Sequence, residues 1–210
     1  RFLFLAAVVT ASFPSANAQE WRYYGGDPGG MKYSPLDQIN KSNVRRLRPA
    51  WIFDTRDLSD GKTIPVRSAF ETVPLVFDGV MYVTSSFHRL FALDAETGKI
   101  LWQFDPKFDR STRVVLHFSR GVTYWTDGKE ERVLFMTLGF QLVALDAKTG
   151  QPVASFGKGG RVDLKDAAII GKGDKIDPVK GEIGINATPV IAGNTVVVGG
   201  TFSEQSGTLP

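Results

Sequence analysis

The sequence predicts an all-β chain built as propeller blades, about two and a half four-stranded antiparallel sheets arranged around an axis. Three observations carry this expectation. Arg89–Gly98 (RLFALDAETG) and Gln141–Gly150 (QLVALDAKTG) are identical at seven of ten positions, 52 residues apart. Pro74–Phe87 (PLVFDGVMYVTSSF) aligns without gaps on Pro189–Phe202 (PVIAGNTVVVGGTF), 115 residues later and so about twice the first offset. Short runs of β-branched and aromatic residues alternate with turns rich in Gly, Asp and Thr, which suits strands.

The elements follow in order. Phe2–Thr10 is an apolar run behind Arg1, and Ala16-Asn17-Ala18 follows it. That is the charge, apolar run and A-x-A site of a secretory signal, far short of the ~20 residues a spanning helix needs. Residues 1–18 are therefore set apart as part of a signal peptide, and 19–70 read as a leader. Within the leader, Leu47–Asp54 (LRPAWIFD) matches Lys99–Asp105 (KILWQFD), an outer strand without its three inner partners. In a closed ring such a strand completes the last blade.

Residues 71–210 carry the blades. The first has strands at Thr72–Phe77, Val80–Ser85, Arg89–Asp94 and Lys99–Phe104. Asp78-Gly79 makes the first hairpin turn, with Gly supplying the left-handed position. In the turn Asp94–Gly98, Asp94 and Thr97 can bond nearby backbone N–H groups. Ala92 and Ala144 are small where neighbouring sheets approach, and Trp102 offers a large side chain to the next blade. The second unit runs from Gly121 to about Phe156, with Val153 where Trp would fall, and 157–184 reads as a connecting excursion. The third starts at Asn186 and breaks off after its second strand. Such an open arc cannot close a ring, so the sequence reads as the N-terminal piece of a longer protein and is expected not to fold stably alone.

Composition excludes several chemistries. There is no cysteine, hence no disulfide framework, thiol nucleophile or Cys-ligated metal among these residues. Two histidines are too few for a histidine-built metal site, and a net charge of +3 spread along the chain does not imply nucleic acid. The glycine-lysine runs at 157–160 and 171–173 lack phosphate-loop spacing, and the basic run Lys41–Arg48 reads as a solvated face.

The A-L-D-A-x-T-G-x-x-x-W unit resembles the repeat of pyrroloquinoline quinone (PQQ) proteins. More specific is the leader, Trp21–Asp27 (WRYYGGD), Tyr33-Ser34-Pro35-Leu36, Gln38-Ile39-Asn40, Asn43-Val44, Leu47 and Trp51, followed by Ser119–Tyr124 (SRGVTY). These resemble PQQ-dependent alcohol and glucose dehydrogenases over about residues 20–210. The resemblance implies an eight-bladed ring, within the roughly 4–8 blades of propellers. It implies a periplasmic quinoprotein dehydrogenase that passes a hydride from a sugar or alcohol to PQQ with calcium as Lewis acid, then hands electrons to a quinone or cytochrome. The segments 120–124, 153–164 and 189–201 lean towards the glucose type. The competing reading is a non-catalytic PQQ-repeat scaffold of the cell envelope.

By position in the family motifs, Glu71 matches a residue that bonds the PQQ rim, and Arg120 one that pairs with a quinone oxygen or carboxylate. His117 falls where glucose-type members place a histidine near one PQQ face, with a satisfied core histidine as the other reading. Asn186 takes the place of a family Thr and Thr201 that of a family Ser, both cofactor contacts. Glu204 falls on an acidic calcium ligand, and Gln205 could add a carbonyl oxygen. The family's catalytic Asp and second stacking residue belong to later blades. His88 reads as a strand-end residue, and Thr84 and Thr137, at equivalent repeat positions, read as structural.

Overall fold

A blade inside a propeller is covered on both faces, so its strands are apolar on both sides rather than alternating. The computed structural model shows this pattern. It describes residues 20–64, 68–107, 118–164, 183–184 and 187–202, with backbone alone at 183–184 and 201–202. Residues 1–18, expected to be part of a signal peptide, lie outside the described residues.

The first blade is β1 (Leu75–Phe77), β2 (Val80–Thr84), β3 (Leu90–Asp94) and β4 (Ile100–Phe104), antiparallel and in that spatial order. Each strand lies within the expected span. Asp78 and Gly79 both take positive φ, 49° and 73°, as the two central residues of a type I′ hairpin turn must. At the β3–β4 turn, Asp94 Oδ1 accepts from the Thr97 N–H and hydroxyl, both at 2.7 Å, and these bonds hold its carboxyl below the usual range. Asp146 and Thr149 repeat the arrangement one blade on.

The second blade is β5 (Thr123–Thr126), β6 (Glu131–Met136), β7 (Gln141–Asp146) and β8 (Arg161–Asp163). Its fourth strand departs from the expectation that the unit ends near Phe156. Pro152 makes a single bridge to Leu145, flanked by bonds from the Asp146 N–H to Gln151 O and from the Val153 N–H to Ala144 O, and the ladder stops there because the Ala144 N–H goes to Gly160 O instead. The chain then turns through left-handed Gly157, Gly159 and Gly160 and comes back as β8. Residues 157–164, expected in the connecting excursion, thus belong to the second blade, and 165–182 lie outside the described residues. Beyond them come β9 (Ile183–Gly184), β10 (Val190–Ala192), β11 (Thr195–Val197) and β12 (Thr201–Phe202). The β10–β11 hairpin is the expected start of a third unit. The second strand of that unit ends at Val197, short of Thr201, and Thr201–Phe202 pairs with β9.

Three apolar layers follow from this stacking. Leu75, Phe77, Tyr82, Leu90 and Ala92 of the first blade meet Val133, Phe135, Val143 and Leu145 of the second. The other face of the first blade, Val83, Phe91 and Leu93, is covered by Trp51 and Phe53 of the leader. The other face of the second, including Met136, Leu142 and Ala144, is covered by Val162, Ile191 and Val196.

Tryptophan makes two of these joins, from the leader to the first blade and from the first blade to the second. The Trp102 Nε1–H donates to Ala147 O at 3.0 Å, and its ring lies on Gly150, where a Cβ would come within 2.5 Å of ring carbon. Trp51 does the same one step earlier, donating to Ala95 O at 3.2 Å and covering Gly98. Leu47–Asp54 thus docks as an outer strand docks, although it makes no ladder among the described residues. Tyr82 also donates to Ala147 O, at 3.0 Å, and burial pushes its phenol above the usual range.

Gly150 and Gly193 both have positive φ, 70° and 58°, but only Gly150 lies under a ring, and nothing is within 4 Å of a Cβ at Gly193. In the full-length protein, Gly150→Ala should therefore cost about 1–3 kcal/mol more than Gly193→Ala, the cost of overpacking beyond the shared backbone strain. Denaturant titration of both variants checks this; equal losses would remove the tryptophan contact from the account.

Candidate functional site

The inner strands of neighbouring blades start side by side. Val73 and Gly121 form a parallel bridge, with the Val73 N–H donating to Arg120 O at 3.1 Å. The approach is so close that a Cβ at Gly121, whose φ is 123°, would lie 2.7 Å from Val73 O. This is the physical reason for glycine after Arg120. The bridge brings Glu71 and Arg120, the residues that precede these strand starts, to the same end of the sheets.

Their side chains meet loosely. Arg120 Nη2 is 3.5 Å from Glu71 Oε2, with 49% and 39% of the side chains exposed. A pair this open contributes about 0–1 kcal/mol, so either partner can turn to a ligand at little cost. The Arg120 guanidinium also lies 5.5 Å from the Phe118 ring centroid. It edges a cavity of about 430 Å³ that the leader closes with Tyr23 and Tyr24 and the third unit with Thr188 and Pro189. Thr188 Oγ1 is buried there without a hydrogen-bond partner among the described residues. Beside the cavity, Arg22 lies between the rings of Phe77 and Tyr124, at 5.5 and 5.3 Å. Its bond to Glu20 raises the guanidinium pKa further.

Beneath the open pair the polar groups are buried. Thr72 and Thr84 share a hydrogen bond of 2.8 Å, and Thr84 Oγ1 donates to Ser119 Oγ at 2.9 Å. The Gly121 N–H reaches the same Ser119 oxygen at 3.4 Å. His88, buried and left-handed at φ 59°, places Nε2 2.8 Å from Phe118 O and Nδ1 2.7 Å from Met136 O. His88 sits at the strand end expected of it, but its bridging of two blades is not visible in residue types. The hydroxyl layer, unlike His88, does leave a mark in the sequence, with Thr72 after Glu71 and Ser119 before Arg120.

Of the expected site residues, the structure brings Glu71 and Arg120 together. Thr201 stands in β12 opposite Gly184, described by its backbone alone. His117, Asn186 and Glu204 lie outside the described residues. Among the described residues there is no group of three or more His, Cys, Asp or Glu that could hold a metal ion.

Comparison with known proteins agrees with this architecture. Residues 21–209 match the family described as PQQ, glucose/ethanol/alcohol dehydrogenase, β-propeller domain. The dehydrogenase subunit of the quinone alcohol dehydrogenase of Gluconobacter oxydans (strain 621H) is 41% identical over 152 residues, 70% of this chain and 18% of the relative. The quinoprotein glucose dehydrogenase of the same organism is 33% identical over 162 residues, 70% of this chain and 20% of the relative. In three dimensions the chain superposes on the quinohemoprotein alcohol dehydrogenase of Comamonas testosteroni with a TM-score of 0.64 and 28% identity, covering 89% of this chain and 24% of that one. The chain thus spans about a fifth of the length of these curated relatives.

The site's design separates cheap side chains from costly support. In the full-length protein, Glu71→Gln and Arg120→Gln should each change stability by less than about 1 kcal/mol, as exposed pairs do. Gly121→Ala should cost more than about 2 kcal/mol, from backbone strain and the clash with Val73 O. Thermal melts of the three variants check this, and a costly Arg120→Gln would mean that Arg120 belongs to the scaffold.

Proposed function

The chain belongs to the PQQ glucose/ethanol/alcohol dehydrogenase β-propeller family, and on that premise we propose that the whole protein is a quinoprotein dehydrogenase. It oxidises a sugar or alcohol with PQQ held at the propeller end that carries Glu71 and Arg120. The observation that carries this reading is the Arg120–Glu71 pair, open at its side chains and fixed at its backbone.

The residues present suit the cofactor. PQQ is a flat o-quinone with three carboxylates, and the planar, permanently charged guanidinium of Arg120 matches a carboxylate or quinone oxygen in two-point hydrogen bonding. Glu71 supplies an acceptor for a donor on the ligand's rim. Arg120 would leave its loose contact with Glu71 for the ligand, while Val73 and Gly121 keep its backbone in place. When bound, PQQ supplies the two-electron acceptor that no side chain of this chain offers. His117, Asn186 and Thr201 complete the proposed cofactor contacts. Glu204, assisted by Gln205, is the proposed calcium ligand, a carboxylate being the donor that this hard cation takes.

The relatives are named for alcohols and for glucose alike. The preference for glucose rests on the segments 120–124, 153–164 and 189–201 alone. Passage to the periplasm rests on the signal pattern of residues 1–18, and electron delivery to a quinone or cytochrome on the resemblance.

Two measurements test this reading. The full-length protein, stripped of PQQ and divalent cations, should reduce an artificial electron acceptor with a sugar or alcohol only when both PQQ and calcium are returned. Activity that persists without them contradicts it. In the same assay, Glu204→Gln should raise the calcium needed for half-activity by about tenfold or more, as loss of a metal-site group does. An unchanged requirement removes Glu204 from the metal site.

A further inference from the structure

Resting on the reading that Glu71 and Arg120 hold PQQ, we propose that the β2–β3 corner, Thr84–His88, is the positioning element for both residues, and that His88 is the positioning residue for Arg120. The corner's side-chain bonds run to the neighbours of Glu71 and Arg120. It holds the residues that flank them.

The contacts are paired. On the Glu71 side, Ser86 Oγ donates to Ala69 O at 2.9 Å, two residues before Glu71, and Thr84 shares its 2.8 Å bond with Thr72, one residue after. On the Arg120 side, His88 Nε2 meets Phe118 O at 2.8 Å, two residues before Arg120, and Thr84 donates to Ser119, one residue before, at 2.9 Å. One short turn therefore sets the distance between the backbones on which the open 3.5 Å pair is mounted. The second blade is held as well, since His88 Nδ1 meets Met136 O in β6 at 2.7 Å. A carbonyl oxygen only accepts, so each contact is a hydrogen bond only through an N–H on the nitrogen that faces it; a neutral imidazole carries one such N–H, and both bonds form together only in the doubly protonated ring.

The corner is itself rigid. The His88 N–H donates to Ser85 O at 3.0 Å, and the Arg89 N–H to Ser85 Oγ at 3.1 Å. Arg89 Nε bonds Asp57 Oδ2 at 2.7 Å, and the Asp57 side chain is only 2% exposed, so the corner is tied to the leader by an ion pair that water does not loosen. Ser85, Ser86, Thr84 and His88 are all buried. Four buried polar residues in one turn are a costly arrangement unless each is bonded, and here each is.

A role in stability alone and a role in positioning predict opposite orders for two substitutions. Asn carries its amide nitrogen where His carries Nδ1, so His88→Asn keeps the bond to Met136 and loses the one to Phe118. Gln carries its amide nitrogen where His carries Nε2, so His88→Gln keeps the bond to Phe118. The left-handed backbone at His88, φ 59°, favours Asn over Gln. Stability should therefore rank Asn above Gln, and cofactor affinity should rank Gln above Asn.

The experiment uses the full-length protein without cofactor, titrated with PQQ and followed by quenching of tryptophan fluorescence, with a thermal melt of each variant. His88→Asn should weaken PQQ binding about tenfold, and His88→Gln no more than about twofold, the difference being one oriented hydrogen bond. Equal affinities for the two variants, or affinities that follow the melting temperatures, overturn the proposal while leaving the cofactor reading intact. A wild-type protein that does not bind PQQ overturns the cofactor reading, and this proposal with it. If the His88 variants do not fold, Thr84→Val against Thr84→Ser decides. Serine keeps the hydroxyl chain and should bind PQQ as the wild type does; valine, of the same shape without the hydroxyl, should bind several-fold more weakly. Equal binding by those two overturns the proposal.

Discussion

A tryptophan ring on a bare glycine sets the spacing of this fold. Trp102 covers Gly150 and Trp51 covers Gly98, each with its indole N–H on a carbonyl of the turn it covers. The glycines have φ of 70°, so the turn needs a residue without a Cβ twice over, once for the backbone and once for the ring. The Asp and Thr of the same turn fix its shape by bonding its own N–H groups. The contact is directional: the outer strand of one unit docks on the turn of the next. Repetition of that step turns a row of sheets into an arc.

The arc decides where the chemistry sits. Once the outer edges are set by tryptophan, the inner strands converge, and Val73 and Gly121 meet closely enough to exclude a Cβ. Residues just before those strands are brought to one end of the axis. The contrast between layers is the useful feature. Thr72, Thr84, Ser119 and His88 are bonded to one another or to backbone, while Glu71 and Arg120 above them touch across 3.5 Å with much of each side chain in water. A rigid base under an exposed ion pair suits a ligand that replaces one partner of the pair.

Much of this was legible in the sequence. The repeated A-L-D-A-x-T-G turn placed the blades, and the strands of the first blade fall within the spans expected. Trp102 and Trp51 could be paired because their surroundings recur. The Arg-Gly motif pointed to the site. The second blade's last strand was not legible, because the first pairing beside β7 stops after Val153 and three left-handed glycines bring the chain back as β8 at Arg161, a local choice that the repeat does not encode. The β9–β12 pair was hidden for a similar reason: it joins 183–184 to 201–202 by main-chain pairing between segments that the repeat does not align. The role of His88 was invisible because its partners are backbone carbonyls 30 and 48 residues away, and backbone atoms leave no mark on residue identity.

The claim on which the account turns is that the blades present Arg120 to PQQ as a fixed backbone with a free head. A crystal structure of the full-length protein with PQQ and calcium measures this directly. The account predicts the Arg120 guanidinium within hydrogen-bond distance of a cofactor oxygen, with the Val73–Gly121 bridge and the Thr72–Thr84–Ser119 chain unchanged. A cofactor bound away from this end of the sheets, with Arg120 still paired to Glu71 alone, would contradict it.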